Sequence, residues 1–193
     1  MSRSPEVYKL NTHELARRAG EMKIYELDIQ TPEKVGVELI SVPVGEIIEV
    51  DARLESVTEG ILLTAEIFAV AKGECTRCLD PIAVDIERKI QELYYYAQKA
   101  ERPKKKKPVE EDDLDVEDEL MMEGDIMDLE GPIRDAIVLA LPINPLCSDQ
   151  CQGLCQQCGG KWADLPVDHA HEVIDARWAG LSGLELPEAD FKN

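Results

Sequence analysis

Six cysteines in two groups constrain this chain more than any other feature. Cys75 and Cys78 enclose Thr76-Arg77 in the middle of the sequence, and Cys147, Cys151, Cys155 and Cys158 follow in its last third. A C-x₂-C loop lets both thiolates reach one ion, and two such pairs close a tetrahedral zinc site. A metal joining the middle of the chain to its C-terminal third is therefore expected, as one structural zinc. One site needs four of the six sulfurs. Cys75, Cys78, Cys155 and Cys158 form the preferred set, because both pairs are true C-x₂-C loops and Gly159 follows Cys158. Two alternatives stay open: Cys147 and Cys151 supply the second pair, or the four C-terminal cysteines close a site by themselves. Four thiolates also suit an iron–sulfur cluster.

The rest of the chain has the means to build a core. It has 193 residues, 44% of them hydrophobic, with aromatics at only 5%, so the core is mostly aliphatic. The formal net charge is −19. Residues 101–130 hold 13 acidic and 5 basic side chains, and the remainder of the chain is still strongly negative. Such a surface repels phosphate backbones and attracts basic partners. The first ten residues carry charges without an apolar run, and no stretch reaches the ~20 apolar residues that span a bilayer. The expectation is a cytoplasmic protein without a membrane partner. In a reducing compartment, cysteines at this spacing are metal ligands or redox thiols rather than disulfides.

Periodicity predicts an α+β fold in a single domain spanning residues 1–193. Asn11 and Glu14 read as a capping-box start for a short helix that Gly20 ends. Residues 22–29 read as a strand, and residues 30–45 as a connection with an extended piece at 37–40. Ile48, Val50, Ala52 and Leu54 then alternate with Glu49, Asp51, Arg53 and Glu55. A turn at residues 58–60, a strand over 61–72, the Cys75–Cys78 loop and a strand from Ile82 towards Tyr96 complete an antiparallel meander. The first cysteine pair falls at a hairpin tip. Between Arg102 and Glu119 a lysine block is followed by an acidic run, which buries too little to offset chain entropy; residues 100–123 read as a mobile insert. One main helix follows, with Pro132 in its first turn, Ile133, Ala136, Ile137 and Ala140 facing the sheet, and Pro142 as its stop. Asp175 reads as the cap of a last short helix carrying Trp178 and Leu181.

Catalytic signatures are missing. There is no phosphate-binding loop, no Gly-x-Ser-x-Gly and no His-Glu-x-x-His. The chain reads as a non-enzyme with no small-molecule substrate. Arg77 beside Cys75 and Cys78 would favour a thiolate. A thioredoxin-like site, however, opens a helix, and here a strand follows. A zinc-linked thiol redox protein or sensor is the alternative function. His169 and His171, near Asp168, read as surface residues and reserve ligands, and His13 as exposed. The lysines at 104–107 are the densest candidate contact for RNA, but the acidic run beside them competes for the same charges.

Cys75-Thr76-Arg77-Cys78-Leu79 after a strand, a helix ending Ala140-Leu141-Pro142, and the run from Pro145 through Cys147, Cys151, Gly153, Leu154, Cys155 and Cys158 to Gly159 together resemble the YceD family, the large ribosomal RNA subunit accumulation proteins. The likeness covers roughly residues 10–185. It implies a role in accumulation of 23S ribosomal RNA and in large-subunit assembly. No catalytic residue comes with it. Metal ligands are proposed at the six matching positions: Cys75, Cys78, Cys147, Cys151, Cys155 and Cys158. The expected partner is a basic ribosomal protein, or 23S rRNA or its precursor, and the charge balance favours the protein.

Overall fold

A computed structural model of the chain describes residues 5–96, 119–171 and 177. It divides into two compact units, Met1–Cys151 and Gln152–Asn193.

The first unit is built on an antiparallel sheet. Its strands are β2 (Met22–Gln30), β3 (Val35–Gly36), β4 (Ile40–Val42), β5 (Ile47–Ser56), β6 (Gly60–Glu74) and β7 (Pro81–Tyr95). Strand β6 is the spine. One edge pairs with β7 from Gly60↔Tyr95 to Glu74↔Pro81. The other is shared: β5 takes Ile61 to Phe68, and β4 takes over at Lys72 and Gly73. Strand β2 lies outside β5 in full register. The meander from β5 through β7 follows the alternation of the sequence. The β3–β4 hairpin lies within the segment read as a connection, displaced from the predicted piece at 37–40.

The pleat sorts the sheet into a covered and an open face. Val50↔Ile67, Ala52↔Ala65, Leu54↔Leu63 and Ala69↔Ile86 stack buried residue against buried residue across the strands. Helix α1 (Glu130–Ala140) packs against β7, β3 and β6, burying Ile133, Ala136 and Ile137. Leu141 ends it in extended backbone immediately before Pro142, as the proline dictates. A small ribbon, β1 (Lys9–Asn11) paired with β8 (Ile126–Asp128), adds Leu10 and Met127 to the core. The Tyr94 hydroxyl, on a ring only 1% exposed, donates to the Asp128 carbonyl at 2.6 Å and ties β7 to this ribbon.

The α+β class with one main helix is the observed one, but the predicted helix from Asn11 is not formed. The Asn11 side chain accepts from the His13 amide, and Leu15 N–H turns back to Thr12. Thr12, His13 and Arg17 then bond to Asp125. Local side-chain bonds and a distant acid outcompete the helix. Of the charged insert read at 100–123, residues through 118 lie outside the described residues, and so does the lysine block. The last five continue the sheet edge: Tyr95 N–H donates to Leu120, Met122 N–H donates to Tyr95, and Met122 is buried. The short helix expected after Asp175 also lies outside the described residues.

The second unit shows no regular strand or helix among its described residues. A single bridge, Leu154↔Lys161, closes a tight loop, and Trp162 N–H donates to the Gly153 carbonyl at 3.0 Å.

Candidate metal centres

In the first unit, β6 and β7 run out together and the Cys75–Cys78 loop joins their ends. The loop is a compact knuckle. Cys75 N–H donates to Asp80 O at 2.8 Å, and Leu79 N–H returns to Cys75 O at 2.9 Å. Leu79 closes the turn at φ 61°, the one positive-φ residue other than glycine among the described residues. The chain beyond α1 is pinned to this tip. Thr76 N–H donates to Pro145 O at 2.9 Å, and the Arg77 guanidinium donates to the carbonyls of Cys151 at 2.9 Å and Asp149 at 3.4 Å. These bonds bring Cys147 and Cys151 to the knuckle.

The four sulfurs of Cys75, Cys78, Cys147 and Cys151 lie within 4.8 Å of one another. Cys75–Cys151 is 3.8 Å and Cys78–Cys147 is 3.5 Å. A disulfide needs about 2.05 Å, so none of these is one. A tetrahedral ion with Zn–S bonds of ~2.3 Å sets its sulfurs about 3.8 Å apart. The donor set therefore fits zinc in number, chemistry and spacing. Cys75 is fully buried, Cys78 nearly so, and Cys147 is exposed.

The thiol acidities describe four sulfurs competing for negative charge. Burial pushes Cys75 up, but the N–H groups of Cys78, Cys147 and Arg77, with the Cys78 side chain, bring it down to about 6. At Cys78 the Asp80 amide pulls the thiol down. Burial and the side chains of Cys75, Cys147 and Asp80 outweigh that amide and push it up. At Cys147 the Cys78 side chain lowers the thiol, and Cys151, burial and Cys75 together raise it. One thiolate forms readily and the next are opposed by it. A divalent cation reverses that opposition, because each further thiolate then gains an opposite charge.

The second unit repeats the knuckle. Cys155 N–H donates to Gly160 O at 2.7 Å, Gly159 N–H returns to Cys155 O at 2.8 Å, and Gly159 sits at φ 71°. N–H groups of Cys158 and Gln157 point at the Cys155 sulfur and, with the His169 side chain, hold its thiol down at about 6 against burial. The two C-x₂-C segments thus share one hydrogen-bond pattern, with the left-handed residue at the same place. Here the partners are histidines. Cys155, Cys158, His169 and His171 present ligand atoms within 4.8 Å of one another, and Cys158 Sγ to His169 Nε2 is 3.5 Å.

The preferred quartet of Cys75, Cys78, Cys155 and Cys158 is not the grouping found. Cys147 and Cys151 join the first pair because Pro145 and Cys151 are bonded directly to the hairpin tip. His169 and His171, read as surface residues, join the second pair. All six cysteines fall into clusters, but into two sets of four rather than one. The missed signal was a count: six cysteines and two histidines make two complete tetrahedral sets. His13 is exposed and bonds to Asp125 instead.

A sheet-and-knuckle domain with cysteine clusters of metal-ligand geometry is the class that fold and site define. The family described as "Large ribosomal RNA subunit accumulation protein YceD" matches residues 63–185, and the chain belongs to it. Proteins of Mycobacterium tuberculosis and Mycobacterium bovis, each described as uncharacterized, are similar at 39% identity over 177 residues, covering 91% of this chain and 80% of theirs. An uncharacterized protein of Mycobacterium leprae is similar at 32% over 185 residues, covering 96% of this chain and 80% of its own. No solved structure matches the chain. No helix among the described residues is long and apolar enough to cross a membrane.

Proposed function

We propose that this protein is a non-catalytic factor of large ribosomal subunit biogenesis that supports 23S rRNA accumulation by holding a basic ribosomal protein on the open face of its sheet. Family membership supports the process. The observation that carries the mode of action is the charge on that face. Cross-strand register sets Glu26 opposite Asp51, Asp51 opposite Glu66, and Asp28 opposite Glu49. Like charges directly opposite one another destabilise a sheet. Among the described residues, the one ion pair made by this set is Glu66 with Lys89 at 2.6 Å. Beside the ladder lies a shallow groove bordered by Phe68, Val70, Glu49, Asp85 and Glu87. An apolar floor with an acidic rim suits a lysine- and arginine-rich segment that also carries apolar side chains.

In this reading Cys75, Cys78, Cys147 and Cys151 hold a structural zinc. The ion would crosslink the β6–β7 tip to the loop after α1 and supply no reactive position, since four thiolates complete its shell. The redox alternative needs an accessible low-pKa thiol. The two acidified thiols, Cys75 and Cys155, are buried, and that of the exposed Cys147 is raised.

Affinity capture from lysate, with and without nuclease and at two salt concentrations, tests the partner. The expected result is capture of basic large-subunit ribosomal proteins that survives nuclease and weakens as salt shortens the Debye length from ~10 Å at 0.1 M. Capture that vanishes with nuclease would move the direct contact to rRNA or its precursor.

A further inference from the structure

We propose that residues 152–171 form a second, separate metal module in which Cys155, Cys158, His169 and His171 hold a divalent ion of zinc type, so that the chain carries two ions of different donor sets. Three observations carry this.

The first is geometry. For a tetrahedral ion with Zn–S of ~2.3 Å and Zn–N of ~2.05 Å, sulfur and nitrogen ligands sit about 3.6 Å apart. Cys158 Sγ and His169 Nε2 are 3.5 Å apart, and all four ligand atoms fall within 4.8 Å. The second is the knuckle. The amide and carbonyl bonds around Cys155 reproduce those around Cys75 bond for bond, down to the positive φ at the fifth residue. The chain thus twice builds the loop that aims backbone N–H groups at a sulfur. The third is the absence of an apolar core among the described residues of this segment. Between 152 and 171 only Gly153 and Cys155 are buried. A segment of this size without an apolar core needs a crosslink to hold one conformation. Structural zinc sites contribute that free energy directly. Trp162 lies edge-on to His169 with ring centroids 5.5 Å apart, and His169 N–H donates to Pro166 O at 3.0 Å, so the first histidine is oriented from two sides.

Metal content and Co²⁺ spectra of the full-length protein test the proposal. The expected wild-type stoichiometry is about two ions per chain. H169A/H171A should lose one of them and leave the melting transition of the sheet unit in place. C78S/C147S should lose the other and retain the H169A/H171A-sensitive one. The Co²⁺ difference spectrum between wild type and H169A/H171A should show thiolate charge-transfer intensity for two sulfurs, against four for the first site. H169C guards against simple misfolding of the module: it should keep the second ion and raise that intensity to three sulfurs. Saturation of the wild type at about one Co²⁺ per chain, or two ions retained in H169A/H171A, would overturn the second site. Because each variant pair removes its own ion, failure here leaves the four-sulfur site and the ribosomal reading separately testable.

Discussion

Leu79 occupies backbone that L-residues avoid, at a cost of roughly 1–2 kcal/mol, and its side chain is 59% exposed, so packing does not require a leucine there. The knuckle requires the conformation, since the Leu79 amide must return to Cys75 O. Leu79→Gly should therefore leave thermal stability within about 1 kcal/mol of wild type, the relieved strain offsetting the added freedom of the unfolded chain. Leu79→Val should lower it by about 1–2 kcal/mol and weaken Co²⁺ binding at the first site. Gly159 holds the equivalent position with open space around it. Gly159→Val should cost a similar ~1–2 kcal/mol through the backbone alone, read as roughly tenfold weaker Co²⁺ binding at the second cluster. Equal Co²⁺ affinities across all three variants would show that the positive φ is not what shapes these loops. At this scale the sequence displayed the C-x₂-C pairs plainly, because a ligand pair three residues apart is a local signal. Which pair meets which is not local. It depends on Arg77 and Thr76 reaching carbonyls about seventy residues away. His169 and His171 were given no more than a reserve role for a related reason: two apart on a polar segment is an ordinary surface pattern, and the folding-back of that segment onto Cys158 is what brings them to the cluster.

Strand β6 binds elements to each other and to the first cluster. Gly73 lies where β5 gives way to β4, and a Cβ there would stand 2.3 Å from the Leu39 carbonyl. Gly73→Val should push β4 off the spine two residues before Cys75. The expected outcome is a drop in melting temperature together with weaker metal retention at the first cluster; a fall in stability with metal binding intact would uncouple the sheet edge from the knuckle. At the other end of β7, Tyr94→Phe removes the bond to Asp128 O and leaves that carbonyl unpartnered by Tyr94, at about 1–2 kcal/mol in a thermal or denaturant melt. Strands β2, β5, β6 and β7 and helix α1 were legible because each carries enough residues of one period to outweigh local noise. Strands β1, β3, β4 and β8 have two or three residues each and no period to read. They exist because long elements offer them edges. The N-terminal helix failed for the opposite reason. Its cap residues were present, but Asn11 and Thr12 found turn partners nearby and Asp125 from far along the chain.

Across the whole molecule, a net charge of −19 opposes compaction, and part of that opposition is built into the sheet itself. The covered face gains from every cross-strand pair, while the open face sets acids against acids at Glu26–Asp51, Asp51–Glu66 and Asp28–Glu49. If this arrangement served folding alone, alternating signs would be the better choice. A surface kept acidic at the expense of stability fits one that a basic partner neutralises on binding. Stability and binding should then respond in opposite directions to the same change. Glu49→Gln with Asp51→Asn relieves all three repulsive pairs while keeping side-chain size and leaving the Lys89–Glu66 ion pair intact. Thermal stability of the free protein should rise by on the order of 1 kcal/mol, more at low salt than at high, since screening already weakens the repulsion. Affinity for the captured basic partner should fall, chiefly through slower association, and its salt dependence should flatten. Both quantities are measurable on one preparation, by melting curves and by binding kinetics at two ionic strengths. A double variant that is more stable and binds unchanged would remove the open face from the contact, and one that is no more stable would show that the ladder is already screened in the free protein.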